Sequence, residues 1–256
     1  MIDSDTRPWI LIRGAGDIAT GTILRLHRCG FRVIAAECRN PSAIRRKAAF
    51  CEAVAAGSAA VEGTVCRRAD SIEDAVRISA EGEIPLLADP RLSCLPALGP
   101  AAVIDAILAK KNLGTSRSMA PVTIGLGPGF TAGDDVDAVV ETMLGHHQGR
   151  VILQGTAIPN TGIPGVIAGY AAERVIHSPA HGPMRFIPGI DIGSLVKKDQ
   201  AIAYVGDTPV IATLDGVLRG LIREGYPVSE GLKIADIDPR PEQTAFCDTV
   251  SDKARI

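Results

Sequence analysis

The stretch from Trp9 to Gly21, WILIRGAGDIATG, narrows the folds open to this chain more than any other. A short apolar run, Trp9 to Ile12, breaks into Gly14-Ala15-Gly16 and continues as a helix-compatible segment to Cys29. Strand, glycine turn and helix in that order present backbone N–H groups and a helix N-terminus to a phosphate. Gly14 permits a tight turn, Gly16 lets an anion approach the backbone, and Ala19 is small enough for close helix–strand packing. The spacing is G-x-G-x-x-A, a permitted dinucleotide fingerprint. Glu37 ends the next apolar run, 21 residues after Gly16, where an acid for a ribose hydroxyl is expected. Asp17 is discordant with ordinary NAD binding, because a carboxylate at the mouth of the turn repels a pyrophosphate unless a cation intervenes.

Up to about residue 155, short apolar runs alternate with helix-like segments, which predicts a parallel sheet covered by helices. Strands are expected at 9–13, 31–36, 84–88, 102–104, 121–126 and 150–154, and helices at 17–29, 43–56 and 71–80. The helix 43–56 carries the basic run Arg45, Arg46 and Lys47, read as a solvated face that could reach a phosphate. Beyond this, Pro159, Pro164, Pro179, Pro183 and Pro188 forbid persistent helix and predict short strands.

That second half contains an internal repeat. The segments 193–205 and 225–237 share a Gly-x-x-Val start and an alternating apolar run, and Gly182 and Gly216 precede them at similar distances. Such a pair is similar to the barrel-sandwich hybrid of biotinyl and lipoyl domains, in which two β units close on one another. Val196, Ile202, Val228 and Ile234 are expected in one shared core. Carrier domains of that kind present a lysine between the halves; the connecting segment 205–213 has none, which excludes a swinging arm. The expected fold is therefore α/β: a Rossmann-like, mostly parallel sheet over 1–171, a small barrel-sandwich-hybrid-like β domain over 172–240, and a tail over 241–256.

A second glycine turn, Gly125-Leu-Gly127-Pro-Gly129-Phe130, follows another apolar strand and precedes Asp134, Asp135 and Asp137. Pro128 makes it a poor plain phosphate cradle, and the acids point to a cation or polar ligand, or to a solvated turn. Should both glycine turns lie at the carboxyl ends of neighbouring strands, they share one crevice. Asp105, directly after Val103-Ile104, either caps a helix over 106–111 or, with Lys110 nearby, positions an anion or transfers a proton. The ligand-binding set is thus Gly14, Ala15, Gly16, Asp17, Ile18, Glu37, Gly125, Gly127, Gly129 and Phe130. Asp17, Asp105 and Lys110 are candidates for chemistry.

A formal charge of -2 gives no electrostatic case for nucleic acid or an anionic membrane. No segment approaches the ~20 apolar residues of a membrane span, and the polar start MIDSDTRP does not read as a secretory signal. Six cysteines without a C-x-x-C pair fit buried thiols in a reducing cytoplasm. Pro179 between His177 and His181 removes the helical geometry of a metal pair, so no metal site is assigned.

With these segments in view, the chain resembles the selenium-dependent molybdenum hydroxylase accessory proteins, the YqeB-like family. The matching pieces are Arg13-Gly-Ala-Gly-Asp-Ile-Ala-Thr-Gly21, Pro41-Ser-Ala-Ile-Arg-Arg46, Phe50-Cys-Glu-Ala-Val54, Val61-Glu-Gly63 and Ile104-Asp-Ala106. They continue in order with Gly125–Phe130, Asn160–Gly165, Ile237-Asp-Pro-Arg240 and Val250-Ser-Asp-Lys-Ala-Arg255. The resemblance implies a role in maturing molybdenum-cofactor enzymes of the xanthine dehydrogenase type, with a hydroxylase subunit as partner. It also implies a glycine-rich stretch after the S-D-K-A-R motif, where this chain ends at Ile256. The functional expectation is an accessory protein that holds a phosphate-bearing ligand, a nucleotide or molybdopterin, with a divalent cation near Asp17. The alternatives are an NAD(P)- or flavin-dependent oxidoreductase, and a non-catalytic scaffold that docks partners through its β domain.

Overall fold

The computed structural model describes residues 5–162 and 164–256. Ile163, within the Asn160–Gly165 segment, and the first four residues of the polar N-terminus lie outside the described residues. The chain divides into two compact units. The first comprises the residues up to Pro41, Ala49–Thr161 and Val250–Ile256; the second comprises Ser42–Ala48 and Gly162–Thr249. The unit boundaries therefore differ from a split at 171 and 240. The short segment 42–48 belongs to the second unit, and the last seven residues belong to the first.

In the first unit, β1 (Trp9–Arg13), α1 (Asp17–Arg28) and β2 (Arg32–Ala36) form where the apolar runs and the glycine turn place them. They are followed by α2 (Ala53–Ala56), β3 (Ser58–Val61), β4 (Thr64–Ala69), α3 (Ile72–Ala80), β5 (Ile84–Leu87), α4 (Leu95–Leu98) and β6 (Ala102–Asp105). Then come β7 (Val122–Leu126), β8 (Thr131–Ala132), β9 (Ala138–Val140), β10 (Val151–Ile152) and β11 (Gly155–Thr156). Nine of these strands make one sheet in the order β10-β9-β7-β6-β1-β2-β5-β4-β3, and β8 pairs with β11. Ser71 caps α3 by accepting from the Asp74 N–H at 3.1 Å. Ala75 and Ile78 of α3 pack with Leu11, Ile34, Leu87 and Val103 on one sheet face. Connections β1-α1-β2 and β4-α3-β5 travel in opposite directions along the sheet, so right-handed crossovers put α1 and α3 on opposite faces.

The expected fold class does not hold. The large sheet is mixed, with antiparallel pairs at both edges, β3 on β4 and β9 on β10. Strand–helix alternation stops early: after Leu98 no α-helix occurs among the described residues. The connection from β6 to β7 shows why. Leu108 and Lys110 have φ of 55° and 63°, left-handed values that single residues adopt but a helix cannot. A Rossmann-like half needs a helical crossover there, and this chain has an irregular loop. The helix expected over 43–56 also fails, giving two short 3-10 turns and the one-turn α2.

The second unit contains β12 (Val175–His177), β13 (Gly182–Phe186), β14 (Leu195–Val196), β15 (Ala201–Val205), β16 (Thr208–Ile211), β17 (Gly216–Leu221), β18 (Pro227–Val228) and β19 (Lys233–Asp238). They form two four-stranded antiparallel sheets, β12-β19-β17-β14 and β16-β15-β13-β18. The repeat is visible in the register. Gly182 pairs with Val228, and Gly216 pairs with Val196, so each half lends its short middle strand to the other. Val196, Ile202, Val228 and Ile234 are buried in one cluster. A Cβ on Gly182 would stand 2.9 Å from the Gly206 nitrogen, and one on Gly216 would overlap the Asp238 carbonyl. The unit is not a self-contained carrier-type module, because it takes in the distant segment 42–48. Ile44 accepts from the Leu221 N–H at 2.8 Å. Arg46 bonds Leu221 O and Asp191, and Lys47 bonds Ile192 O, each at 2.7 Å. Arg45 bonds Thr249 O at 2.8 Å. The basic run thus fastens the segment to this unit instead of forming a solvated helix face.

Candidate functional site

The chain leaves β1 toward β2 on one side and returns across it to β6 on the other, so the first unit has its topological switch point between β1 and β6. Ligands of open α/β sheets bind outside the carboxyl ends of the strands at such a point. There the register sets Arg13 beside Asp105, and Asp105 beside Gly125. Both glycine turns therefore lie at the same sheet edge, separated by β6.

The irregular loop after β6 takes up the space that two of the glycines leave. Gly14 has φ of 105°, and a Cβ there would stand 3.1 Å from the Ile107 nitrogen. Gly129 has φ of 111°, and a Cβ would stand 2.6 Å from the Lys111 nitrogen. The other residues of the second turn are packed in the same way. A Cβ on Gly125 would meet the Phe130 ring at 2.5 Å, and one on Gly127 would meet Thr142 Oγ1 at 2.6 Å. Phe130 is buried. Gly125, Gly127, Gly129 and Phe130 thus make a packed corner against the chain itself. Of the acids beyond, Asp135 accepts from Thr131 N–H and Asp137 from Thr123 N–H, both at 2.8 Å, so these two brace the turns.

Asp105 is 2 % exposed. Its Oδ2 accepts from Thr115 Oγ1 at 2.6 Å and from Arg13 Nη1 at 3.3 Å, and its Oδ1 accepts from the Ile107 N–H at 3.1 Å. It caps no helix over 106–111, and it is enclosed with its counter-ion instead of facing a ligand. Glu37 is engaged too: one oxygen accepts from Ala15 N–H at 2.8 Å and the other from Cys38 N–H at 2.7 Å. Its carboxylate braces the glycine turn, and a ribose hydroxyl would have to share those oxygens. Ala15 is fully buried, and its carbonyl accepts from Cys51 N–H at 2.8 Å.

At the lip Gly16-Asp17-Ile18 all three residues are half-buried. No atom lies within 4 Å of a Cβ built on Gly16. This lip is the N-terminus of the twelve-residue helix α1, where the helix dipole favours an anion. Lys110 is exposed on the loop after β6.

A further cation comes from the far end of the chain. Lys253 is half-buried, and burial together with the Lys110 charge lowers its pKa, while Asp17 and Glu141 oppose that shift. Glu141 is itself buried, with its oxygens accepting from Met143 N–H at 2.7 Å and Ile158 N–H at 2.8 Å. Lys253 is held in place by its neighbours. A Cβ on Gly21 of α1 would overlap the Ala254 carbonyl, so the glycine admits the C-terminal segment directly onto the helix. Arg25 donates to Arg255 O at 3.1 Å. Glu62 accepts from Arg255 Nη2 at 2.8 Å and Val250 N–H at 3.2 Å. Burial would raise the Glu62 pKa, but the Arg28 and Val250 hydrogen bonds and the Arg255 charge hold it below its ordinary value. Sequence reasoning met Lys253 only as part of the motif Val250–Arg255 and gave it no role. A second signal was Gly21, since a mid-helix glycine costs ~1 kcal/mol relative to alanine and implies close packing.

The C-terminal segment thus packs on α1 with Lys253 within electrostatic reach of Asp17 and Lys110, and Gly14, Ala15, Glu37, Asp105 and the second glycine turn belong to the framework of the turns. Among the described residues no group of three or more His, Cys, Asp or Glu side chains is placed to hold a metal ion. No described helix is long and apolar enough to cross a membrane.

The chain is 51% identical over 246 residues to the uncharacterized protein YqeB of Escherichia coli. The match covers 96% of this chain and 45% of that protein, so the chain spans less than half the length of the relative. No family model matches. Two solved structures show a weak likeness at 15% identity. One is the product-bound ectoine utilization protein EutE (DoeB) from Ruegeria pomeroyi, with a TM-score of 0.25 over 90% of this chain and 85% of that one. The other is a succinylglutamate desuccinylase/aspartoacylase from Rhodobacter sphaeroides, with a TM-score of 0.28 over 91% and 84%. Likenesses at that level carry no argument about activity.

Proposed function

We propose that this protein serves the maturation of molybdenum-cofactor hydroxylases of the xanthine dehydrogenase type by holding a phosphate-bearing small molecule, a nucleotide or molybdopterin. The ligand lies on the lip Gly16-Asp17-Ile18, under Lys110 and Lys253. One observation carries the reading: the C-terminal segment packs on α1 at Gly21, and Lys253 beside that contact lies within electrostatic reach of Lys110 and Asp17. Two like charges brought together at a positive helix end are costly without an anion and favourable with one. Asp17 and Glu141 answer part of that charge, and in this reading Asp17 meets a divalent cation arriving with the phosphate. The similarity to YqeB and the family resemblance of the motifs support the biological setting, with a hydroxylase subunit as the partner. Six free thiols are in keeping with residence in a reducing cytoplasm.

Titration calorimetry with nucleotides and with molybdopterin, with and without magnesium, tests the reading. Binding tighter than millimolar is expected, at least tenfold weaker in Lys253→Ala and in Gly16→Val. Absence of such binding by every ligand, or unchanged affinity in both variants, overturns it.

A further inference from the structure

The large sheet reverses direction a second time, away from the switch point just described. From β2 the chain runs out to the edge strand β3, turns back to β4, two positions from β2, and returns through α3 to β5, between them. β2 is left toward the outer strands and β5 toward β6 on the far side of β1, so the connections diverge between these neighbouring strands, a place where a crevice forms at the carboxyl ends. A cleft of ≈ 580 Å³ occupies that place, within the range of small-molecule sites. Its apolar wall includes Val54, Ile72 and Leu87, and Arg39 and Arg68 also line it.

The cleft holds two cations and two anions, and of these four groups only Arg39 has no hydrogen-bonding partner among the described residues. Arg68 is paired with Asp70 at 3.0 Å and donates to Val54 O at 3.3 Å. The Asp89 carboxylate accepts from Cys94 N–H at 2.8 Å. Hydrogen bonds from Ser93 and Cys94 hold Asp89 below its ordinary pKa against the effect of burial. Arg39, exposed at the rim, has no hydrogen-bond or ion-pair partner among the described residues. With Asp89 turned to the N–H groups of its own loop, an apolar wall beside an unengaged guanidinium fits a ligand with an apolar body and a single anionic head. The planar fork of arginine matches the paired oxygens of a carboxylate or a phosphate.

We infer that this cleft is a second binding site, taking a small organic anion with an apolar or aromatic body whose carboxylate or phosphate pairs with Arg39. The site is separate from the lip at α1, and Lys253 plays no part in it. Amide chemical shifts of the full chain, followed during titration with benzoate and with phenyl phosphate, provide the test. Saturable shifts at Ile72 and Ala88 in the millimolar range are expected with at least one probe, and which probe binds distinguishes carboxylate from phosphate. Arg39→Ala, an exposed substitution, should weaken that binding at least tenfold, and Lys253→Ala should leave it unchanged. No saturable shift with either probe, equal binding by Arg39→Ala, or loss of binding in Lys253→Ala overturns the inference.

Discussion

The Glu37 carboxylate accepts a hydrogen bond at 2.8 Å from the backbone N–H of Ala15, across 22 residues of sequence. This bond holds the glycine turn against the end of β2, together with the Gly14 N–H donating to Ala36 O at 2.7 Å. Glu37→Ala should therefore act on stability, leaving two partly buried N–H groups without their acceptor. Hydrogen bonds to charged groups contribute ~1.5–3 kcal/mol each, so urea denaturation should show a loss of about that size. A variant with unchanged stability would return Glu37 to the role of a ligand contact.

The Arg13–Asp105 pair gives a second prediction. Removing one partner of a buried pair costs ~3–5 kcal/mol because the other charge is left without compensation. Asp105→Ala should lose stability on that scale in chemical denaturation. The double variant Arg13→Met/Asp105→Ala should recover part of the loss. If Asp105→Ala were as stable as the parent, the pair would not be the structural element described above.

Gly21 links the two ends of the chain. Gly21→Ala favours the isolated helix by ~1 kcal/mol, but its new Cβ overlaps the Ala254 carbonyl. Overpacking of this kind costs ~1–3 kcal/mol. The least costly relief is release of residues 250–256 from α1. Hydrogen exchange should quicken in that segment while β1, β2 and β6 keep their protection. Ligand affinity at the α1 lip should fall as it does in Lys253→Ala.

The lowered pKa of Lys253 sets the pH dependence of anion binding. Its causes are burial first and then the Lys110 charge, with Asp17 and Glu141 opposing. The protonated form binds the anion, so affinity should be lost as pH rises through a value below the ordinary 10.5. Lys110→Ala removes a like charge and should move that loss to higher pH. Lys253→Met should abolish this limb of the profile. Titration calorimetry across alkaline pH measures all three.

Local pattern was enough to place β1, α1, β2, α3, β5, β6 and β7. Their apolar runs are bounded by Gly, Pro and capping residues, and those preferences act within a few residues. The repeat of the second unit was equally legible, because equal spacing after Gly193 and Gly225 turns the same side chains inward. Tertiary structure alone decided what the motif residues do. Gly14 and Gly129 look like phosphate-turn glycines, yet it is the backbone of the loop after β6 that comes close to them. Asp105 and Glu37 look like free acids until Arg13, Thr115 and the Ala15 N–H are brought to them. Lys253 reaches α1 through contacts such as Arg25 with Arg255, 230 residues apart. No window of neighbouring residues contains such a contact, since only the closure of the whole unit creates it.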